Sequence, residues 1–173
     1  MSNGVVMSGS FLRTVVGIGF VCLVGLLAPA AFSQEGVPSA SADEIFARKI
    51  LMDTVDAHMD ALDFMLSSDK PLDLARAVGD ADTISVMLMT LPHLFASQTN
   101  QWRPNIKRNP ARDTFASPDL WVNFADFYER AQDASRVAAA ASRAKSVAEF
   151  KTQFESLRSA CDACHALYVK ADE

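Results

Sequence analysis

From residue 41 to residue 170 the apolar positions recur every three or four residues. That is the period of an amphipathic helix and not the alternation of a strand. Four helical stretches separate. The first opens at Ser41, whose hydroxyl can cap the free amides while Glu44 reaches back as the other half of a capping box. Ile45, Met52, Val55, Met59, Leu62 and Leu66 then form a heptad seam ending near Ser67. Asp69-Lys70-Pro71 is turn chemistry, and a second helix follows to about Ala96 with a kink expected at Pro92. Ser117-Pro118 opens a third helix with an aromatic face of Trp121, Phe124, Phe127 and Tyr128, kept slim further on by Ala138 to Ala141. The fourth begins at Ser146, with Glu149 completing a second capping box, and runs through Phe150, Phe154 and Leu157 to about Lys170. Short links between the first and second and between the third and fourth make each pair antiparallel. The expected fold is all-α, an antiparallel up-down-up-down four-helix bundle.

Two segments break the pattern. Residues 97–117 hold Pro104 and Pro110 and read as a long loop, a kind of segment that is often functional. Residues 1–33 contain one basic residue, Arg13, no acid, an apolar run from Thr14 to Ala31, and small residues at Ala31 and Ser33. This predicts a secretory signal peptide cleaved after Ser33, which leaves residues 34–173 as a single domain. An uncleaved amino-terminal membrane anchor is the alternative, but Pro29 in the Ala-Pro-Ala-Ala ending fits cleavage better than spanning. Phe20 and Val21 are too large for a lipidation signal before Cys22, so Cys22 is expected to leave with the signal. Loss of Arg13 takes the net charge from −5 to −6. A mildly acidic chain tells against nucleic acid as a partner.

Two cysteines then remain, Cys161 and Cys164, followed directly by His165 in the string CDACH. A small disulfide would close too short a loop to constrain the chain much, and it leaves His165 unexplained. Zinc would need four ligands, and the only other histidines are His58 and His93. A thioredoxin-like redox pair would follow a strand in an α/β pattern, which is absent. The spacing fits covalent attachment of one c-type haem. On a helix Cys161 and Cys164 share a face, so both thiols can add across the two vinyl groups while His165 ligates the iron.

The opposite side of the iron is constrained by the bundle, in which the end of the fourth helix lies beside the start of the first. His165 is about five residues, roughly 8 Å, from the lower end of its helix, so its partner comes from the first half of the first helix. Met52 meets that condition, whereas Met59 and Met65 stand about 10 and 20 Å further up. An ordinary core methionine is the alternative. Arg48 occupies a seam position that Val55 and Leu62 fill on later turns. It suits a haem propionate at the bundle edge, or else snorkels to solvent. Leu88, Leu91, Phe95, Trp121 and Phe124 are expected to close the pocket and are equally explicable as core. His58 and His93 are weaker candidates for any role at the iron.

With CDACHALY near the carboxyl end, ARKILMDTV on the first helix, LPHLF ending the second and FASPDLW leading into the third, the chain resembles the class II c-type cytochromes, the cytochrome c′ superfamily. The resemblance covers nearly all of residues 41–170. It implies an exported, periplasmic four-helix bundle with one covalent haem, often a homodimer through helices one and two. In that family the residue four after such an arginine faces the distal side of the iron. Methionine there goes with six-coordinate low-spin haem, and leucine or another non-ligand goes with five-coordinate haem that takes nitric oxide or carbon monoxide. Arg48 and Met52 resemble the methionine branch, so the expected function is a His/Met-ligated electron carrier outside the inner membrane. The alternative is a five-coordinate gas-binding protein, and a structural bundle with a vestigial motif is a distant third. The family often places a cation directly after the aromatic that follows the motif, whereas Tyr168 is followed here by Val169 and then Lys170.

No triad, carboxylate pair or distal His/Arg pair stands out, so catalysis is not expected. In the long loop, Arg103, Lys107, Arg108 and Arg112 face the single acid Asp113. They suggest a patch that steers an acidic redox partner, or else a solvated connector.

Overall fold

The computed structural model describes the backbone of residues 40–101, 109 and 113–170. The expected signal segment and the four loop cations lie outside the described residues. Within them the elements are α1 (Ala40–Ser67), α2 (Leu74–Thr90), 3-10 turns at Leu91–Leu94 and Ser97–Thr99, α3 (Asp119–Val122), α4 (Phe124–Ala141) and α5 (Val147–Tyr168). The long helices α1, α2, α4 and α5 make the four-helix bundle.

Where each helix begins and ends follows from local chemistry. α1 starts at Ala40, which puts Ser41 inside its first turn rather than before it, and the Ser41 side chain lies outside the described part. Asp73 caps α2 by accepting from the Arg76 amide at 3.1 Å. Pro92 does not kink an α-helix that continues past it. The α-helical pattern stops at Thr90, and Pro92 sits near the start of a tighter 3-10 turn, where its missing N–H costs nothing. The expected third helix is broken at Asn123, whose backbone (φ −112°, ψ 39°) leaves the helical region. Its backbone N–H and its side-chain amide both donate to the Asp119 carbonyl, at 2.9 and 3.2 Å. An asparagine offering the backbone such a local alternative ends a helical turn. At α5 the Ser146 hydroxyl accepts from the Glu149 amide, and Glu149 reaches back to the Lys145 amide at 2.8 Å, one residue earlier than a standard box. α5 ends at Tyr168 and not at Lys170, because Val169 turns extended and pairs with Ala116 in an isolated antiparallel bridge.

Sequential helices pack on one another: α1 on α2, α2 on α4, α4 on α5. α2 and α4 meet through small side chains, Ala77, Ala81 and Ser85 on one and Ala131, Ala134, Ser135 and Ala138 on the other. The two serines exchange hydrogen bonds with each other's carbonyls, Ser85 Oγ to Ser135 O at 2.9 Å and Ser135 Oγ to Ser85 O at 2.8 Å. Buried hydroxyls thereby stay satisfied while the backbones approach closely. Larger side chains, Leu62, Ile84, Phe150 and Leu157, fill the middle of the bundle. Between α1 and α5 the described residues touch far less than in the three sequential pairs. That is the side on which CDACH lies.

Candidate haem site

The core-facing stripe of α5 runs Phe150, Phe154, Leu157, Cys161, Cys164, Tyr168, stepping by four and three. The first three and Tyr168 are buried, while both cysteines are half-buried, carry free thiols and pack against the same core. The structure thus brings the thiols onto the apolar seam. His165, one position off the stripe, is exposed. Burial, reinforced by the neighbouring Cys164, pushes the Cys161 thiol up to about 11, and burial pushes Cys164 up as well. A dithiol built for disulfide exchange has a thiol moved in the opposite direction, toward the thiolate.

Two polar contacts orient α1. His58 Nδ1 lies 3.0 Å from Asp80 Oδ1 on α2, and Asp63 pairs with Arg158 on α5. At about 100° per residue, Met52 lies about 20° from Asp63 around α1 but about 120° from His58. Met52 therefore sits on the flank that faces α5. The Asp63–Arg158 pair also fixes height, since His165 is seven residues, about 10 Å, beyond Arg158 and the same descent along α1 reaches Asp56. Met52 and Met59 then stand about one turn below and above that level. Burial separates them, since the two lie only about 20° apart around α1: Met59 is 8% exposed within the core, whereas Met52 is half-buried at the core's border, as are Cys161 and Cys164.

Arg48, one turn before Met52, is only 1% exposed. It does not snorkel and it has protein partners. Nη1 donates to Thr99 Oγ1 at 2.8 Å and Nη2 to the Thr99 carbonyl at 2.8 Å, with the Leu94 carbonyl 3.5 Å from Nη1. The guanidinium lies 4.6 Å from the Phe95 ring centroid and 5.4 Å from Trp121, and the Trp121 indole N–H donates to the Ala96 carbonyl at 3.1 Å. Burial, opposed by nearby Glu44, depresses Arg48 to about 10. Arg48 Nε and Glu44 Oε2 are buried without hydrogen-bond partners among the described residues.

The other sequence candidates are dispersed. Leu88 and Leu91 are buried core, Phe95 and Trp121 are half-buried beside Arg48, and Phe124 is partly exposed after the break at Asn123. His93 is exposed, edge-on to Tyr128 at 6.1 Å, and His58 is engaged by Asp80. Thr99 and the trio Asp126, Arg130 and Tyr168 were missed by sequence reasoning. Tyr168 donates to Asp126 Oδ2 at 2.5 Å, and Arg130 Nε donates to the same oxygen at 2.7 Å. The spacing of Asp126 and Arg130, four apart on a helix, was the available signal.

These residues fit a covalent haem. Two thiols on one apolar stripe can take two vinyl groups, the next residue offers an imidazole, and a buried guanidinium keeps an unpartnered N–H for a carboxylate. Among the described residues no cluster of three or more metal-ligating side chains offers a competing site.

The family described as cytochrome C′ matches residues 43–168. No curated protein sequence matches the chain. Among solved structures, cytochrome c′ from Thermochromatium tepidum is similar with a TM-score of 0.64 at 21% identity, over 76% of this chain and 98% of that one. A cytochrome c′ with ligand-controlled dimer dissociation gives 0.63 at 18% identity, over 79% and 99%. A nitric oxide complex of a mutant cytochrome c prime from Alcaligenes xylosoxidans gives 0.63 at 18%, over 77% and 98%. At those identities the structures speak to the fold, and the family match extends from α1 to the end of the haem helix. The chain belongs to the cytochrome c′ family, with one covalent haem c on Cys161 and Cys164.

Proposed function

We propose that this protein is an exported cytochrome c′ whose haem, held by Cys161, Cys164 and His165, binds nitric oxide or carbon monoxide. The match to the cytochrome c′ family over residues 43–168 carries this reading, and it favours gas binding over the low-spin electron carrier expected from Arg48 and Met52. The nitric oxide complex of the Alcaligenes protein, on the same fold, is consistent with it. Bound haem supplies an iron that takes a diatomic ligand or exchanges one electron. Cys161 and Cys164 would hold the group, His165 would ligate it, and Arg48 would offer Nε to a propionate. The protein performs no catalysis in this reading. Residues 1–33 direct export to the periplasm. No helix among the described residues is long and apolar enough to cross a membrane.

One observation favours the second reading: Met52 lies on the flank of α1 that faces α5, at the border of the core. If Met52 ligates the iron, the protein carries electrons. Visible spectra and carbon monoxide titrations of the haem-loaded protein decide between the two. In the gas-binding reading the wild-type ferric protein is high-spin, its ferrous form binds carbon monoxide, and Met52→Leu changes that affinity by less than about tenfold, under about 1.4 kcal/mol. A low-spin ferric spectrum with a methionine-to-iron band, lost in Met52→Leu and kept in Met59→Leu, would instead establish the electron carrier.

The partner proposed for assembly is a second copy of the chain. Phe46 and Phe64 lie five turns apart in line on the outer face of α1, with Ile50 between them, and Phe64 is 76% exposed. Val86 and Met89 of α2 are exposed as well. A homodimer through α1 and α2 covers this apolar surface. Sedimentation velocity at tens of micromolar is expected to show a dimer that Phe64→Glu converts to monomer. A monomeric wild type under those conditions rules the interface out. A redox partner, acidic if the loop cations at Arg103, Lys107, Arg108 and Arg112 steer it, belongs to the electron-carrier reading.

A further inference from the structure

The last turn of α5 is held from two directions. On one side the backbone pairs with the segment before α3, the Ser117 N–H donating to the Tyr168 carbonyl at 2.8 Å and the Lys170 N–H to the Phe115 carbonyl at 2.8 Å. On the other, the buried Tyr168 ring packs edge-on against Phe127 at 5.6 Å and its hydroxyl donates to Asp126 Oδ2, the oxygen that also accepts from Arg130. The geometry points to Asp126, Arg130 and Tyr168 as a positioning unit that fixes the haem-bearing turn of α5 and sets the charge felt by the haem through its Cys164 side.

Each part of the unit has a physical role. Tyr168 is one turn beyond Cys164 on the same stripe, so a bond that holds its hydroxyl holds the stripe in register with α4. The Arg130 guanidinium and the Tyr168 hydroxyl hold the Asp126 carboxyl below the usual carboxylate range. Tyr168 stands four residues, about 6 Å along the helix, beyond Cys164, and its hydroxyl bonds Asp126, so the charge pair of α4 lies beside the last turn of α5. Asp126 also lines an open cleft with Asp119, Asn123, Leu167 and Tyr168, so solvent reaches the pair. Paired, the two charges largely cancel at the haem, and removing either exposes the other.

Oxidation of the bound iron removes one electron and adds one positive charge, so a nearby carboxylate favours the ferric form and a nearby guanidinium the ferrous form. In a potentiometric titration of the haem-loaded protein at low ionic strength, Asp126→Asn is expected to shift the reduction potential upward and Arg130→Gln downward. Tyr168→Phe should move it downward by less, because Asp126 loses one donor but keeps its charge. Arg130→Lys, which keeps the charge, should restore the wild-type value. The two main shifts should shrink as salt approaches about 0.15 M, where the screening length is about 8 Å. Loss of packing alone would move Asp126→Asn and Arg130→Gln in the same direction or leave both potentials unchanged, and either result overturns the assignment. Haem content and spin state of the same samples, unchanged across the series, keep the result separate from the question of gas or electron.

Discussion

Replacing both Cys161 and Cys164 with serine will remove every trace of haem that survives acidified-acetone extraction, and the intact mass will fall to that of the bare polypeptide. The reason is the bond type. Each thioether forms when an S–H adds across a vinyl group, sulfur to one carbon and hydrogen to the other, and a hydroxyl does not replace the sulfur. What would remain is a bond from His165, which is exposed on α5, and a propionate contact at Arg48 Nε. Neither survives acid, which protonates imidazole and carboxylate alike. Single serine variants should retain one thioether and a pigment that resists extraction. The effect on the fold should be uneven. α2, α4 and most of α5 share the close small-residue packing and the aromatic core, whereas α1 and α5 meet mainly where Asp63 pairs with Arg158. Amide exchange in the double variant should therefore rise first in the first half of α1, with α2, α4 and the anchored end of α5 still protected. Uniform exchange across all four helices would show that haem does not knit the α1–α5 side in particular. A red double variant after extraction would overturn the attachment site itself.

What could be read from the sequence divides along a physical line. The four seams were legible because each repeats over many residues, and a periodic signal survives local errors. The Ser146–Glu149 cap and CDACH were legible because their chemistry lies within five residues of chain. Single-residue conformations were not. Asn123 could have continued a helix, and only the choice of its side chain to join the Asp119 carbonyl breaks it. Pro92 announced an interruption, but the sequence could not say that the chain would tighten to a 3-10 turn rather than bend. Arg48 shows the larger limit. A charge on a heptad seam is ordinarily assigned to an edge, since burying it unpaired is prohibitive. Its partner Thr99 lies 51 residues away in a stretch with no periodicity, and the two rings that accept its face come from separate elements. Tyr168 is a parallel case, legible as the aromatic that follows the motif but not as a donor to Asp126, 42 residues back.

The Arg48–Thr99 contact should be among the most costly polar interactions in the protein to break. Thr99 is fully buried, and its Oγ1 both accepts from Arg48 Nη1 at 2.8 Å and donates to the Ala96 carbonyl at 2.6 Å. Thr99→Val keeps the shape and removes both bonds, leaving a desolvated guanidinium short of an acceptor. Hydrogen bonds to charged groups contribute about 1.5–3 kcal/mol, and a buried charged donor left unmade costs at least as much. The same substitution in an Arg48→Met background removes only the neutral bond to Ala96, worth about 1 kcal/mol. Urea denaturation of the four haem-loaded proteins, compared at unchanged slope, gives the coupling from the cycle. The expected coupling is about 1.5–3 kcal/mol, the share of Thr99's contribution that exists only while the guanidinium is there. Equal costs for Thr99→Val in the two backgrounds would mean that Arg48 draws its stability from Phe95, Trp121 and the bound haem, with Thr99 a bystander. Under a working contact, the lone Arg48→Met protein should also lose order in the Ser97–Thr99 turn, because the two N–H groups of Arg48 that reach Thr99 tie that turn to α1.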